Sequence, residues 1–229
     1  MPSTTPWKNV ATGGNPQLMK SRNCFWTNGI SGLGAACSST LNPYKYDLEK
    51  AKSLLKSINW DANWEIDFAP YGLTPSAGHE ALQQMWTKAG LKVKLRGMDP
   101  ATFIAEGYEK GNFDISDLGL GSNANMADFY YRFRTGNYYN ATTCAGCYNL
   151  VRYANAEFDK LVATANSSSD PKVYEPAMLK MTQMWNDELP FLIYGQGVAY
   201  MLLSPKVDGK TVEIGNAYCW DNPHLWAMK

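Results

Sequence analysis

The hydrophobic positions change period several times along the chain, and each change predicts an element. In YDLEKAKSLLKSINW, Leu48, Ala51, Leu54, Leu55 and Ile58 recur at helical spacing, with Asp47 placed as an N-cap. WEIDFAPY alternates instead: Trp64, Ile66 and Phe68 oppose Glu65 and Asp67, the pattern of a half-buried strand. TPSAGHEALQQMWTKAG returns to a helix, with Thr74 as N-cap, Pro75 at the first helical position and Gly90 as the stop. LKVKLRG alternates Leu91, Val93 and Leu95 against Lys92, Lys94 and Arg96. DPATFIAEGYEKGN predicts a short helix capped by Asp99, and FDISDLGLG a third strand. The order β, α, β, α, β predicts an α/β fold with a mainly parallel sheet and crossover helices.

Further on, NAEFDKLVATANS predicts a helix with Phe158, Leu161 and Val162 inward. DPKVYEPAMLKMTQMWNDELP predicts a longer one, capped by Asp170, started by Pro171 and stopped before Pro190. Met181, Met184 and Trp185 read as core positions of that helix. FLIYGQGVAYMLLS is strand-like but broken by Gly195 and Gly197, and a weak strand spans Thr211 to Ile214. Residues 1–43 carry Pro, Gly, Ser and Asn without a period and predict an extended connection. No internal repeat is visible.

Composition narrows the function classes. The 229 residues are 45% hydrophobic, which argues against wholesale disorder. Lys plus Arg number 21 and Asp plus Glu number 21, a balance unlike the basic excess of a nucleic-acid binder. No apolar run approaches the roughly 20 residues that span a bilayer. Met1-Pro2-Ser3-Thr4-Thr5 lacks the basic start and apolar stretch of a signal peptide. The chain therefore reads as cytosolic, or as a mature or truncated piece of an exported protein. Five cysteines and two sequons, at Asn140 and Asn166, favour export.

Several features invite chemistry, and each has a plainer role beside it. Cys144 and Cys147 in CAGC have zinc-ligand or redox spacing, and Cys24 and Cys37 form a second local pair 13 positions apart. Disulfides within these pairs are the favoured reading; Cys219 is left over. GLGSNAN lacks the third glycine of a dinucleotide fingerprint and the Gly-Lys-Ser/Thr of a P-loop. His79 and His224 lie near no nucleophile motif, and His79, beside Glu80 on a helix, reads as solvated. Asp114 and Asp117, three apart on a strand, face opposite sides and make poor acid–base partners.

Five stretches in order, YDLEKAKSLLKS, ALQQMWTKAGLKVKLRGMD, GNFDISDLGLG, YANAEFDKLVATA and WNDELPFLIYG, resemble the C-terminal part of the extracytoplasmic solute-binding proteins of ABC transporters, of the oligopeptide, dipeptide and nickel-binding type. The resemblance covers roughly Tyr44 to Gly195. It implies a periplasmic-binding-protein-like lobe at residues 44–205. Residues 1–43 would pack on a missing N-terminal lobe, and a tail, 206–229, would return toward it. The implied partners are a solute and a membrane permease, with no nucleic acid, no metal and no cofactor; the implied location is periplasmic or cell-surface, and no catalysis is expected.

The resemblance also places a ligand cleft beyond the C-terminal ends of the strands. The expected contacts are Tyr71 and Thr74 after the first strand, then Gly119, Leu120, Gly121, Ser122, Asn123, Asn125 and Asp128 after the third. Tyr71 either stacks on a ligand or packs on the helix that follows. Peptide-binding relatives carry a Gly-Trp-x-x-Asp pattern, in which the Asp pairs with the peptide ammonium. Here Leu120 falls on the Trp and Asn123 on the Asp. A buried ammonium without a counter-charge is disfavoured, which points toward a neutral solute such as an oligosaccharide, with a peptide as the equal alternative. In a plainer role Asn123 caps its loop. An extracellular glycan-acting enzyme and a self-assembling orphan lobe are the competing function classes.

Overall fold

The structure is a computed structural model. It describes residues 44–117 and 130–192 continuously, together with 10, 15, 19–20, 41, 196–197, 203–209 and 226–228. The ligand contacts expected at Gly119, Leu120, Gly121, Ser122, Asn123, Asn125 and Asp128 lie outside the described residues, as do Cys24, Cys37, Cys219, His224 and the weak strand near Thr211.

The described elements begin with β1 (Met19–Lys20) and α1 (Leu48–Ser57), followed by β2 (Glu65–Phe68), α2 (Ala77–Ala89) and β3 (Lys92–Leu95). A single turn, α3 (Pro100–Thr102), runs into a π-helical stretch, Phe103–Glu109. Then come α4 (Ala156–Asn166), α5 (Pro171–Glu188) and β4 (Gln196–Gly197), the last pairing antiparallel with β1.

β2 and β3 pair in parallel, with Ile66 opposite Val93 and Phe68 opposite Leu95. On the other side of β2, Phe68 bridges Ile115 in parallel, so the predicted third strand is present as one bridge and its flanking hydrogen bonds. β2 is thus the middle member of the expected parallel arrangement, and α2 is the crossover between β2 and β3. Leu82 and Trp86 of α2 cover Ile66, Phe68 and Val93. Full burial of a side chain such as Phe68 stabilises by about 1.5–3 kcal/mol. Trp64, expected to point inward with Ile66 and Phe68, is exposed, because β2 starts only at Glu65.

A second core forms where α4 packs on α5. Phe158, Val162 and Ala165 meet Ala177, Met178, Met181, Met184 and Trp185, with Tyr130 and Phe133 inserted. Asn155 caps α4, accepting from the amides of Glu157 and Phe158, and the predicted cap Asp170 accepts from the amide of Lys172. α1 is capped by Asp47 as expected, yet its predicted inner face differs. Leu55 is half-buried, whereas Leu54 and Ile58 are exposed.

Candidate functional site

Three chain segments leave the parallel sheet at one edge: Ala69 after β2, Arg96 after β3, and Asp117 after the Ile115 bridge. Hydrogen bonds tie them together there. Ser116 Oγ donates to the Ala69 carbonyl at 2.8 Å, and the Tyr71 amide donates to the Asp117 carbonyl at 3.5 Å. The Met98 amide donates to the Gly72 carbonyl at 3.0 Å. Gly72 has φ of +118°, and that turn carries the chain outward from buried Pro70. Gly97 has a different reason: a Cβ there would sit 2.0 Å from the Leu73 carbonyl oxygen, so only glycine permits the approach.

Tyr71 emerges from this edge with about half its surface exposed. Its ring packs edge-on against Phe103, 5.2 Å between centroids and perpendicular. It therefore rests on the π-helical turn and not on α2, the partner expected for a packing role. Phe103 in turn meets Tyr108 at 5.3 Å, and Tyr108 meets Tyr139 at 5.3 Å, so the platform under Tyr71 is a run of T-shaped aromatic contacts. Thr74 is exposed and does not cap α2. The cap is Ser76, two residues later. Its Oγ accepts from the His79 amide, and His79 Nδ1 accepts from the Ser76 amide at 2.9 Å, closing a capping box.

The same ring reaches across the edge. His79 Nε2 lies 2.8 Å from Asp117 Oδ2, with the two side chains 16% and 22% exposed. Because Nδ1 is the acceptor of the Ser76 amide, the neutral ring carries its hydrogen on Nε2 and donates it to Asp117. Phe68 packs edge-on against this imidazole at 5.7 Å. The expectation of a solvated His79 is thereby corrected: the ring is a bridge between a helix start and a strand end. The Ser-x-x-His spacing was the available signal, but Glu or Gln is the usual residue at that position. Asp114 goes elsewhere, accepting from the Asp67 amide at 2.8 Å, so the two carboxylates do separate as expected.

At the other end of the 113–117 segment lies an open groove of about 500 Å³, which the sequence did not signal. Phe113, Arg152, Tyr153, Glu188 and Pro190 are among its lining residues. Glu188 accepts from the Tyr153 hydroxyl at 2.7 Å and from Asn155 Nδ2 at 3.1 Å. Burial first, then the Glu188 hydrogen bond, pushes the Tyr153 phenol well above the usual tyrosine range. Arg96, near the same segment, forms a bidentate pair with Asp67, and that hydrogen bonding raises its guanidinium further.

Cys144 and Cys147 form a disulfide with Cα atoms 5.4 Å apart, as favoured from the sequence. It closes a turn in which Asn140 and Cys144 pair antiparallel. Asn140 is exposed, and its Oδ1 accepts from the amides of Thr142 and Thr143. Asn166 is exposed at the end of α4, with Nδ2 donating to the Val162 carbonyl. Among the described residues no group of three or more His, Cys, Asp or Glu is arranged to hold a metal ion, and no helix is long and apolar enough to cross a membrane.

Comparison with known proteins places this arrangement. Residues 27–141, just over half the chain, match the family described as bacterial extracellular solute-binding proteins, family 5 Middle. Heme-binding protein A of Haemophilus influenzae is 25% identical over 183 residues, which are 74% of this chain and 31% of that protein. The dipeptide-binding protein of Escherichia coli is 21% identical over 180 residues, 74% of this chain and 32% of that one. The chain thus spans about a third of the length of the curated relatives it matches. Among solved structures, the oligopeptide-binding protein AppA of Bacillus subtilis, in complex with a nonapeptide, superposes with a TM-score of 0.69 at 16% identity, covering 97% of this chain and 45% of that one. Its fold is that of the periplasmic binding proteins, and with its family match the chain belongs to the bacterial extracellular solute-binding proteins, family 5.

Proposed function

We propose that this chain supplies one lobe of an extracytoplasmic receptor that captures a peptide-type solute and delivers it to an ABC-transporter permease. The observation that carries this reading is the common edge: β2, β3 and the 113–117 segment run parallel and end together at Tyr71, Met98 and Asp117. Ligands of open α/β sheets bind outside the C-terminal ends of the strands. Tyr71 offers an exposed ring there, and Thr74 a hydroxyl. The chain then continues into Gly119, Leu120, Gly121, Ser122, Asn123, Asn125 and Asp128, the further proposed contacts. A second lobe, outside this chain, closes over the solute; the chain's span of about a third of its relatives supports that. The mechanism is capture by hydrogen bonds and aromatic stacking, with no bond made or broken.

Relatives named for a dipeptide and an oligopeptide favour the peptide reading. A specific observation favours a second reading: Asn123 stands where the resemblance expects the carboxylate that meets a peptide ammonium, and the Tyr71 ring suits a sugar face. An oligosaccharide is therefore the alternative solute. The test is thermal denaturation of the full-length protein against di- to pentapeptides, heme and linear oligosaccharides. A peptide that raises the melting temperature with concentration supports the reading. Stabilisation by oligosaccharides alone replaces it with the second, and turnover of any probe replaces both with the glycan-acting or other enzyme reading.

A further inference from the structure

We infer that His79 is the positioning residue of the binding edge: it acts through Asp117 to hold Tyr71 where a solute meets it. The inference rests on the proposed reading of that edge as the solute site. His79 spends each ring nitrogen on a different structural unit. Nδ1 accepts from the Ser76 amide at 2.9 Å and belongs to the start of α2. Nε2 donates to Asp117 at 2.8 Å and belongs to the end of the third sheet segment. Asp117 in turn receives the Tyr71 amide on its carbonyl, and its neighbour Ser116 donates to Ala69. The strap therefore closes a circuit: Ala69 to Tyr71, on to Ser76 and His79, across to Asp117, and back to Tyr71. A loop fixed at both ends and across its middle holds a half-exposed aromatic ring in one orientation, so less freedom is lost when a solute packs on it.

The imidazole has a purely local role too, since it completes the capping box. The two roles separate by substitution. The side chain of the His79→Gln variant can accept from the Ser76 amide through its carbonyl and donate to Asp117 through its amide. That of His79→Glu preserves the capping box but sets a carboxylate against Asp117. A residue that merely caps α2 tolerates both changes; a positioning residue tolerates only the change to Gln.

The experiment compares wild type, His79→Gln, His79→Glu and Asp117→Ala in the full-length protein by amide hydrogen exchange, with trialanine affinity as the functional readout. In His79→Glu and Asp117→Ala, exchange at Ala69 and Tyr71 accelerates about tenfold, the scale of one lost hydrogen bond, while first-turn amides of α2 keep their protection. Trialanine affinity falls by a similar factor in both variants, and His79→Gln stays within about twofold of wild type by the same reasoning. Equal exchange at Ala69 and Tyr71 in wild type, His79→Glu and Asp117→Ala overturns the inference. Where the wild type binds trialanine, so does an equal affinity in the His79→Glu and His79→Gln variants. Should His79→Glu fail to fold, Asp117→Ala decides the matter, because it leaves the capping box intact. A wild type that ignores trialanine speaks against the peptide reading alone, and the exchange comparison still judges the strap.

Discussion

The indole of Trp185 stacks on the ring of Phe158, with centroids 5.3 Å apart and planes within 11° of parallel. Trp185 belongs to α5 and Phe158 to α4, so the pair is the seam between the two helices. Tyr130 and Phe133 close on the same indole edge-on, at 4.9 and 5.2 Å. The Tyr130 hydroxyl also donates to Thr182 Oγ1 at 2.7 Å, since Thr182 gives its own hydrogen to the Met178 carbonyl. Residues 118–129, which hold most of the proposed solute contacts, are thus preceded by a residue tied to His79 and followed by one built into the α4–α5 core.

Truncating Trp185 to Ala removes the centre of that cluster. The expected loss of unfolding free energy is about 3–5 kcal/mol, the range for a buried large aromatic. Urea denaturation followed by circular dichroism measures it. A loss below about 0.5 kcal/mol, the range of a typical surface change, contradicts the packing described.

Gly97→Ala and Gly146→Ala make a matched pair. The first drives a Cβ onto the Leu73 carbonyl oxygen; the second meets nothing within 4 Å. The clash is with backbone, so the loop carrying Tyr71 must shift, at about 1–3 kcal/mol, whereas Gly146→Ala stays within about 0.5 kcal/mol. Comparing the two denaturation midpoints checks this, and equal midpoints refute the close approach.

The Cys144–Cys147 disulfide closes a short loop, for which the chain-entropy relation gives about 2 kcal/mol. Replacing both with Ser lowers stability by about that amount without unfolding the protein, because neither cysteine belongs to the α4–α5 cluster. Intact-mass measurement before and after alkylation tests the bond itself. Alkylation of both cysteines without reductant contradicts it.

Alkaline titration reads Tyr153. Its folded pKa is raised above the unfolded value, so its contribution to stability is complete below about pH 10 and is lost as pH rises beyond that. Absorbance at 295 nm should therefore show late-ionising phenols, Tyr153 together with Tyr108, whose pKa burial also raises. Tyr153→Phe removes one late phenol and flattens the alkaline loss of stability. An unchanged late phase in that variant contradicts the assignment.

What the sequence made legible was local. Asp47 and Asp170 announce helix starts because a short acceptor before an amphipathic run can satisfy first-turn amides. Phe158 and Val162 announce the α4 face because they recur at helical spacing. What it obscured depended on contacts distant in sequence. Thr74 and Ser76 are both good caps, and only the reciprocal bond from His79 selects Ser76. Asp117 lies 38 positions from His79, so nothing near either residue disclosed the strap. The π-helical turn over Phe103–Glu109 has no periodic signature that distinguishes it from a short α-helix. Leu54 and Ile58 follow the helical pattern faithfully, but the pattern identifies an apolar face and not what covers it. Tyr71 is a proposed contact because of its place after a strand; its packing on Phe103 and its hydrogen bond to Asp117 had no local signal in the sequence.

The most direct test of solute capture is native mass spectrometry of the full-length protein mixed with a defined di- to pentapeptide library. The account predicts a one-to-one noncovalent adduct whose peptide is released intact on denaturation. Absence of any peptide adduct, or recovery of cleaved peptide in its place, would contradict it.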